Sequence, residues 1–131
     1  MLRRGIAVLL GLHGFAHLVG FLGSWKLGDF ADAPYTTLIV NGAFDVGDAG
    51  IRIVGVLWLV VAAAFAVAAV ALWQERHTAV RIVLAATGFS LLICIIGLPA
   101  GIIGVGVDVA ILLALATLAV ARPAVWRTAI R

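Results

Sequence analysis

Two histidines four residues apart, in the run His13-Gly14-Phe15-Ala16-His17, are the residues of this chain best suited to chemistry. On a helix that spacing stacks both imidazoles on one face. An imidazole changes charge near neutral pH, so the pair suits proton carriage, ligand orientation or metal ligation. Asp108 is the second such residue. It stands about six residues inside an apolar run, roughly 9 Å deep at helical rise. His17 stands about seven residues from the end of its own run, so the two groups are expected at similar depth. A carboxylate at the centre of a lipid-spanning helix costs about 2.5–3.5 kcal/mol, and a partner such as His17 or Arg52 offsets much of it. The expectation is a His17–Asp108 pair: His17 as proton carrier, Asp108 as its orienting or complementary group, His13 as a supporting partner. Paired titratable groups in unlike environments are what acid–base catalysis employs.

Other polar residues gather round this level. Thr87, Ser90 and Cys94 are spaced three and four apart and share a helix face. Asn41, Asp45, Asp48 and Arg52 are expected to close the site from above. Arg52, Asn41, Asp45 and Ser90 form the expected ligand-binding set, with Arg52 holding an anionic or polar head. Each has a plainer reading. The histidines and Asp108 serve equally as structural hydrogen-bonding groups, Asn41, Asp45 and Asp48 as turn formers, and Ser90 and Cys94 as packing. A zinc site from His13, His17 and Asp108 has acceptable ligand types, but lacks the glutamate of a metalloprotease helix. Two histidines on one helix cannot reach opposite faces of a haem. There is no phosphate loop, cysteine pair or nucleophile elbow, so no metal and no cofactor is expected.

The elements that must position these residues follow from composition. Hydrophobic residues make up 65% of the 131 and charged residues 11%, against about half and a quarter in soluble domains. A soluble globule of this size has no interior large enough for that apolar surface, so the excess is expected to face lipid. A span needs about 20 apolar residues. Four runs meet that length, at about 5–24, 51–73, 80–98 and 102–121, with a long connection over 25–50. The fold class is therefore all-α, one domain, an integral membrane bundle of four transmembrane helices. The first run is too long for a cleaved leader and carries both histidines. With one cysteine, Cys94, no intrachain disulfide can form.

The net charge of +3 invites a nucleic-acid reading, but the basic residues sit in short clusters between apolar runs, as topology signals do. Arg3, Arg4, Arg76, Arg81, Arg122, Arg127 and Arg131 fall on one side, Lys26 and Arg52 on the other. The positive-inside rule then puts both termini in the cytoplasm. Trp25 and Tyr35 on one side, with Trp73 and Trp126 on the other, suit interfacial belts. Residues 36–44 are too few to span and are expected to form an interfacial or re-entrant cap. Arg4, Gly11 and Gly20 match Arg81, Gly88 and Gly97 at an offset of 77, which sets His13 over Ser90 and His17 over Cys94. Ala16, Gly20, Gly23, Gly97, Gly101 and Gly104 let helices approach closely, which serves intrachain packing or a homodimer equally.

With Arg4, Gly11, Gly20 and the four-span layout, the chain resembles the small four-helix bacterial membrane proteins grouped around the DoxX-like families. The resemblance is one of architecture, and no functional residue is carried over from it. The Ala, Val and Arg usage looks like that of a GC-rich bacterium, which implies the cytoplasmic (inner) membrane. The leading functional expectation is a membrane protein that binds a lipophilic small molecule in a polar intramembrane pocket. Acid–base chemistry of isomerase, cyclase or hydrolase type would take place there. Proton-coupled transport and an accessory role in a membrane complex are the alternatives. No nucleic acid is expected as a partner.

Overall fold

A computed structural model of the chain describes residues 2–31 and 34–121. Asp32, Arg122, Trp126, Arg127 and Arg131 lie outside the described residues. Four helices, α1 (Leu2–Ser24), α2 (Gly47–Trp73), α3 (Ala79–Ile96) and α4 (Ile102–Ala121), form a bundle. All four are long and apolar enough to cross a membrane. The boundaries depart from the apolar runs for local reasons. α2 starts at Gly47 rather than 51, because the Asp45 carboxylate accepts the Gly47 N–H at 3.0 Å and turns the chain into the helix. α3 stops at Ile96 rather than 98, where the Gly97 N–H bonds the Ile93 carbonyl and Pro99 offers no donor.

Helix backbones approach most closely between sequence neighbours, α1 with α2, α2 with α3 and α3 with α4. Small residues set the distances. A Cβ on Gly14 would lie 2.7 Å from Phe65 Cβ, so glycine between the two histidines lets α1 close on α2. Val61, Phe65, Ala68 and Ile93 fill the buried centre. α4 is the outlying member, and Asp108 is its one buried residue among those described. Its Ile103 is 79% exposed and its Leu113 63%. An apolar helix with an outward apolar face is what lipid solvent permits.

Residues 36–44, expected as an interfacial or re-entrant cap, lie over the end of α3 and the turn after it as part of a hairpin. β1 (Leu38–Ile39) and β2 (Phe44–Asp45) make an antiparallel hairpin, pairing Leu38 with Asp45 and Ile39 with Phe44. At its tip the Val40 N–H donates to the Ile96 carbonyl at 2.8 Å and the Asn41 N–H to the Leu98 carbonyl at 3.0 Å. A helix leaves its last carbonyls without partners, and the hairpin tip supplies them. Reaching that position puts Val40 and Asn41 in the left-handed region, φ 51° and 56°. For a β-branched residue such a backbone costs on the order of 1–3 kcal/mol and persists only where the surroundings enforce it. At the opposite end Arg3 pairs with Glu75, which holds that carboxyl below the usual range. The Arg4 guanidinium lies 5.4 Å from the Trp73 ring centroid.

Candidate functional site

Between α1, α3 and α4 four polar side chains bond to one another. His13 Nε2 lies 3.0 Å from Asp108 Oδ1. Ser90 Oγ donates to Asp108 Oδ2 at 2.7 Å and lies 3.0 Å from His17 Nε2. Asp108 and Ser90 are fully buried and His17 nearly so. The hydroxyl has one proton to give, and it goes to the carboxylate. His17 then supplies its Nε2–H to the hydroxyl oxygen, while the His13 Nε2–Asp108 Oδ1 contact carries one proton between its two atoms. The contacts converge: His17 on Ser90, and Ser90 and His13 on Asp108. A carboxyl group with two such partners answers the desolvation problem that its burial creates.

The surroundings are apolar and aromatic. Phe65 meets the His13 ring edge-on at 4.7 Å between centroids and stacks on His17 at 5.7 Å. The His13 and His17 rings are 4.7 Å apart, and Trp58 stands 5.2 Å from His17. Cys94 Sγ lies 3.9 Å from Ser90 Oγ. Thr87, one turn further along α3, has a buried hydroxyl with no partner among the described residues. The described residues contain no group of three His, Cys, Asp or Glu side chains placed to hold a metal ion.

The structure thus brings His13, His17, Ser90 and Asp108 together, with two differences from the expected pairing. His13 rather than His17 touches Asp108. The depth arithmetic sets all helix ends level at the loop side, and they are not. Gly20 and Gly97 both pack against the Trp58 indole, where a Cβ on either would lie 2.5 Å from a ring atom. The α3–α4 turn therefore sits near the level of Gly20, about 6 Å short of the end of α1 at Ser24. That recess lowers Asp108 by one turn, from His17 to His13. The second difference is Ser90, whose plainer reading was packing and which instead joins three residues.

A cavity of about 330 Å³ opens between the hairpin and the helix ends. Trp58 and Gly20 line it from below, Val19, Ile51 and Val54 from the helices, and Tyr35, Leu38 and Asn41 from the hairpin side. Trp58 therefore touches both the cavity and His17. The sequence reading passed over this residue, although a tryptophan mid-span, away from an interfacial belt, is itself a signal. Asn41 lines the cavity, but Arg52, Asp45 and Ser90, the rest of the expected ligand-binding set, do not. The exposed Arg52 guanidinium lies 5.8 Å from the Trp25 ring, and the Trp25 indole N–H donates to the Arg52 carbonyl at 3.1 Å. Asp45 is spent on capping Gly47, and that N–H, with the Thr37 hydroxyl, holds its carboxyl below the usual range. Asp48 accepts the Tyr35 hydroxyl, which raises the phenol above its usual range, and lies 4.0 Å from Lys26 Nζ.

Chemically, the His13–Asp108 contact can hold a proton on either partner, and Ser90 connects that contact to His17 beneath the cavity floor. Comparison of the chain with family models, curated proteins and solved structures finds no match.

Proposed function

We propose that this chain is a multi-pass membrane protein that binds a lipophilic small molecule in the cavity beneath the hairpin. The His13–Asp108–Ser90–His17 network is its acid–base apparatus. The observation that supports this reading is the position of Trp58, which lines the cavity and also stands 5.2 Å from His17. A shift of that indole gives a bound molecule access to the His17 ring. His17 then gives or takes the proton, Ser90 relays the change, and the His13–Asp108 pair adjusts to it, as isomerisation, cyclisation or hydrolysis of a lipophile requires. The distribution of arginines supports both termini in the cytoplasm and the hairpin outside, and the Ala, Val and Arg usage supports a bacterial inner membrane. Native mass spectrometry of the gently extracted protein tests the binding role. A retained small molecule is expected, absent from Val19→Phe, which fills the cavity. His17→Ala should retain the molecule and lose its conversion. A protein that is empty, or equally loaded in Val19→Phe, sinks the reading.

Proton-coupled transport is the second reading. It is favoured by the contact of Asp108, the one buried residue of α4, with a histidine of α1. The proton state of one contact then governs how α4 sits. Proton flux into liposomes, abolished by Asp108→Asn, supports this reading over the first.

A further inference from the structure

We infer that the cavity selects an uncharged lipophile carrying an acceptor oxygen, such as an alcohol, ketone or ester, and excludes carboxylates and ammonium ions of the same chain length. The inference rests on the binding role proposed above and names its ligand class. Among the described residues, no Asp, Glu, Lys, Arg or His side chain lines the cavity. The one titratable group among those lining residues, the Tyr35 hydroxyl, is already bonded to Asp48. The nearby cations stand outside the lining: Lys26 Nζ packs on the Tyr35 ring, 4.1 Å from its centroid, and Arg52 stacks over Trp25. An ion carried down to the Trp58 floor would exchange its water for apolar side chains and meet no counter-charge among the described lining residues, and an unpaired buried charge is among the costliest groups a protein can hold.

The neutral polar groups of the lining say what the ligand must bring. The Ser24 hydroxyl donates to the Gly20 carbonyl at 2.7 Å, and Thr36 Oγ1 accepts the Leu38 N–H at 3.1 Å. Two side-chain groups remain without a hydrogen bond among the described residues, the Asn41 carboxamide at the hairpin and the Trp58 indole N–H at the floor. Both are N–H donors and the indole is a donor only, so an acceptor oxygen is the matching group. The rest of the lining is mostly apolar side chain and glycine, which suits a hydrocarbon body.

Heavy-atom quenching of Trp58 reads occupancy at the cavity floor. The protein is prepared as Trp25→Phe/Trp73→Phe/Trp126→Phe in neutral-lipid nanodiscs. The probes are an undecanol brominated beside its head group, with carboxylate and trimethylammonium counterparts brominated at the same place, at a pH where the carboxylate is ionised. The alcohol is expected to quench at least about tenfold more tightly than either ion. Val19→Phe should abolish quenching, and Asn41→Gly, which tolerates the same backbone, should weaken the alcohol by about threefold to tenfold. Equal binding of the carboxylate or the ammonium overturns the selectivity while leaving the binding role standing. No quenching by any probe, or quenching unchanged in Val19→Phe, removes the binding role and the inference with it.

Discussion

Trp58 divides the polar part of this molecule into two regions that satisfy their polar groups in opposite ways. Below it, His13, His17, Ser90 and Asp108 bond to one another, across three helices, in a buried setting. Above it, the polar side chains of the hairpin end bond mostly to nearby backbone or sit exposed. Asp45 takes the Gly47 N–H, Thr36 the Leu38 N–H, and Tyr35 reaches the exposed Asp48. The lower region is closed and mutually dependent, so losing one member strands the others. The upper region is a set of local contacts with water close by, so losing one costs little. That contrast is what the two proposed roles, a proton held below and a molecule admitted above, would require.

The largest expected effect tests the mutual dependence. Asp108→Ala leaves His13 and Ser90 buried without their acceptor, and breaking a buried pair from one side costs about 3–5 kcal/mol. Replacing His13 as well by an apolar residue is milder, since only Ser90 is then left without its acceptor. Asp108→Ala/His13→Leu should therefore recover a clear part of the loss in thermal unfolding followed in one fixed detergent. If the double variant is as unstable as the sum of its two singles, the network is four separate contacts and the contrast with the hairpin end disappears.

The wall between the regions comes next. The Trp58 indole is seated between Gly20 and Gly97, where an added Cβ would meet ring atoms at 2.5 Å. Gly20→Ala forces the indole to move, at a cost of about 1–3 kcal/mol for overpacking. It should also make His17 more reactive toward an imidazole-modifying reagent, with His77, exposed on the α2–α3 link, as the internal reference. Unchanged His17 reactivity would mean that the indole does not separate the two regions.

These two regions were not equally legible in the sequence. The lower one was largely readable, because intramembrane ionisable residues are scarce and helical spacing fixes the face they share. His13, His17 and Asp108 stand out for that reason, and Thr87, Ser90 and Cys94 follow from one helix period. What the sequence hides there is register between helices. The recess of the α3–α4 turn depends on where the hairpin tip lands, and no local pattern in residues 97–101 records it. Gly20 and Gly97, matched at the offset of 77, turn out to flank one indole, a relation visible only after folding. The upper region was poorly legible. Its loop residues obey turn chemistry, which fixes local bends but not which side chains face inward. Arg52 looked like a head-group ligand by type, yet the stacking of its guanidinium on Trp25 holds it away from the cavity.

A smaller effect of opposite sign belongs to the hairpin tip. Val40 holds φ 51° while its N–H bonds the Ile96 carbonyl. Val40→Gly removes the left-handed strain and keeps that N–H, while glycine gives back about 0.5–1 kcal/mol in unfolded-state entropy. A net gain of about 1 kcal/mol in unfolding free energy is expected. A loss would show that the Val40 side chain contributes packing that outweighs its backbone.

The smallest effect is the titration of Asp45. Its carboxyl is held below the usual range first by the Gly47 N–H and then by the Thr37 hydroxyl. A group whose folded pKa is lowered contributes above its unfolded value and loses that contribution as pH falls through the folded one. The turn into α2 should therefore hold through the ordinary aspartate range and loosen only below it. The Gly47 amide resonance should report this, shifting with a midpoint under that range, and Asp45→Asn should abolish the shift while leaving His13 and His17 resonances unmoved. A midpoint at or above the ordinary range would mean the cap is not formed in solution. Movement of the histidine resonances in Asp45→Asn would couple the two regions that Trp58 keeps apart, and the local character of the hairpin end would no longer hold.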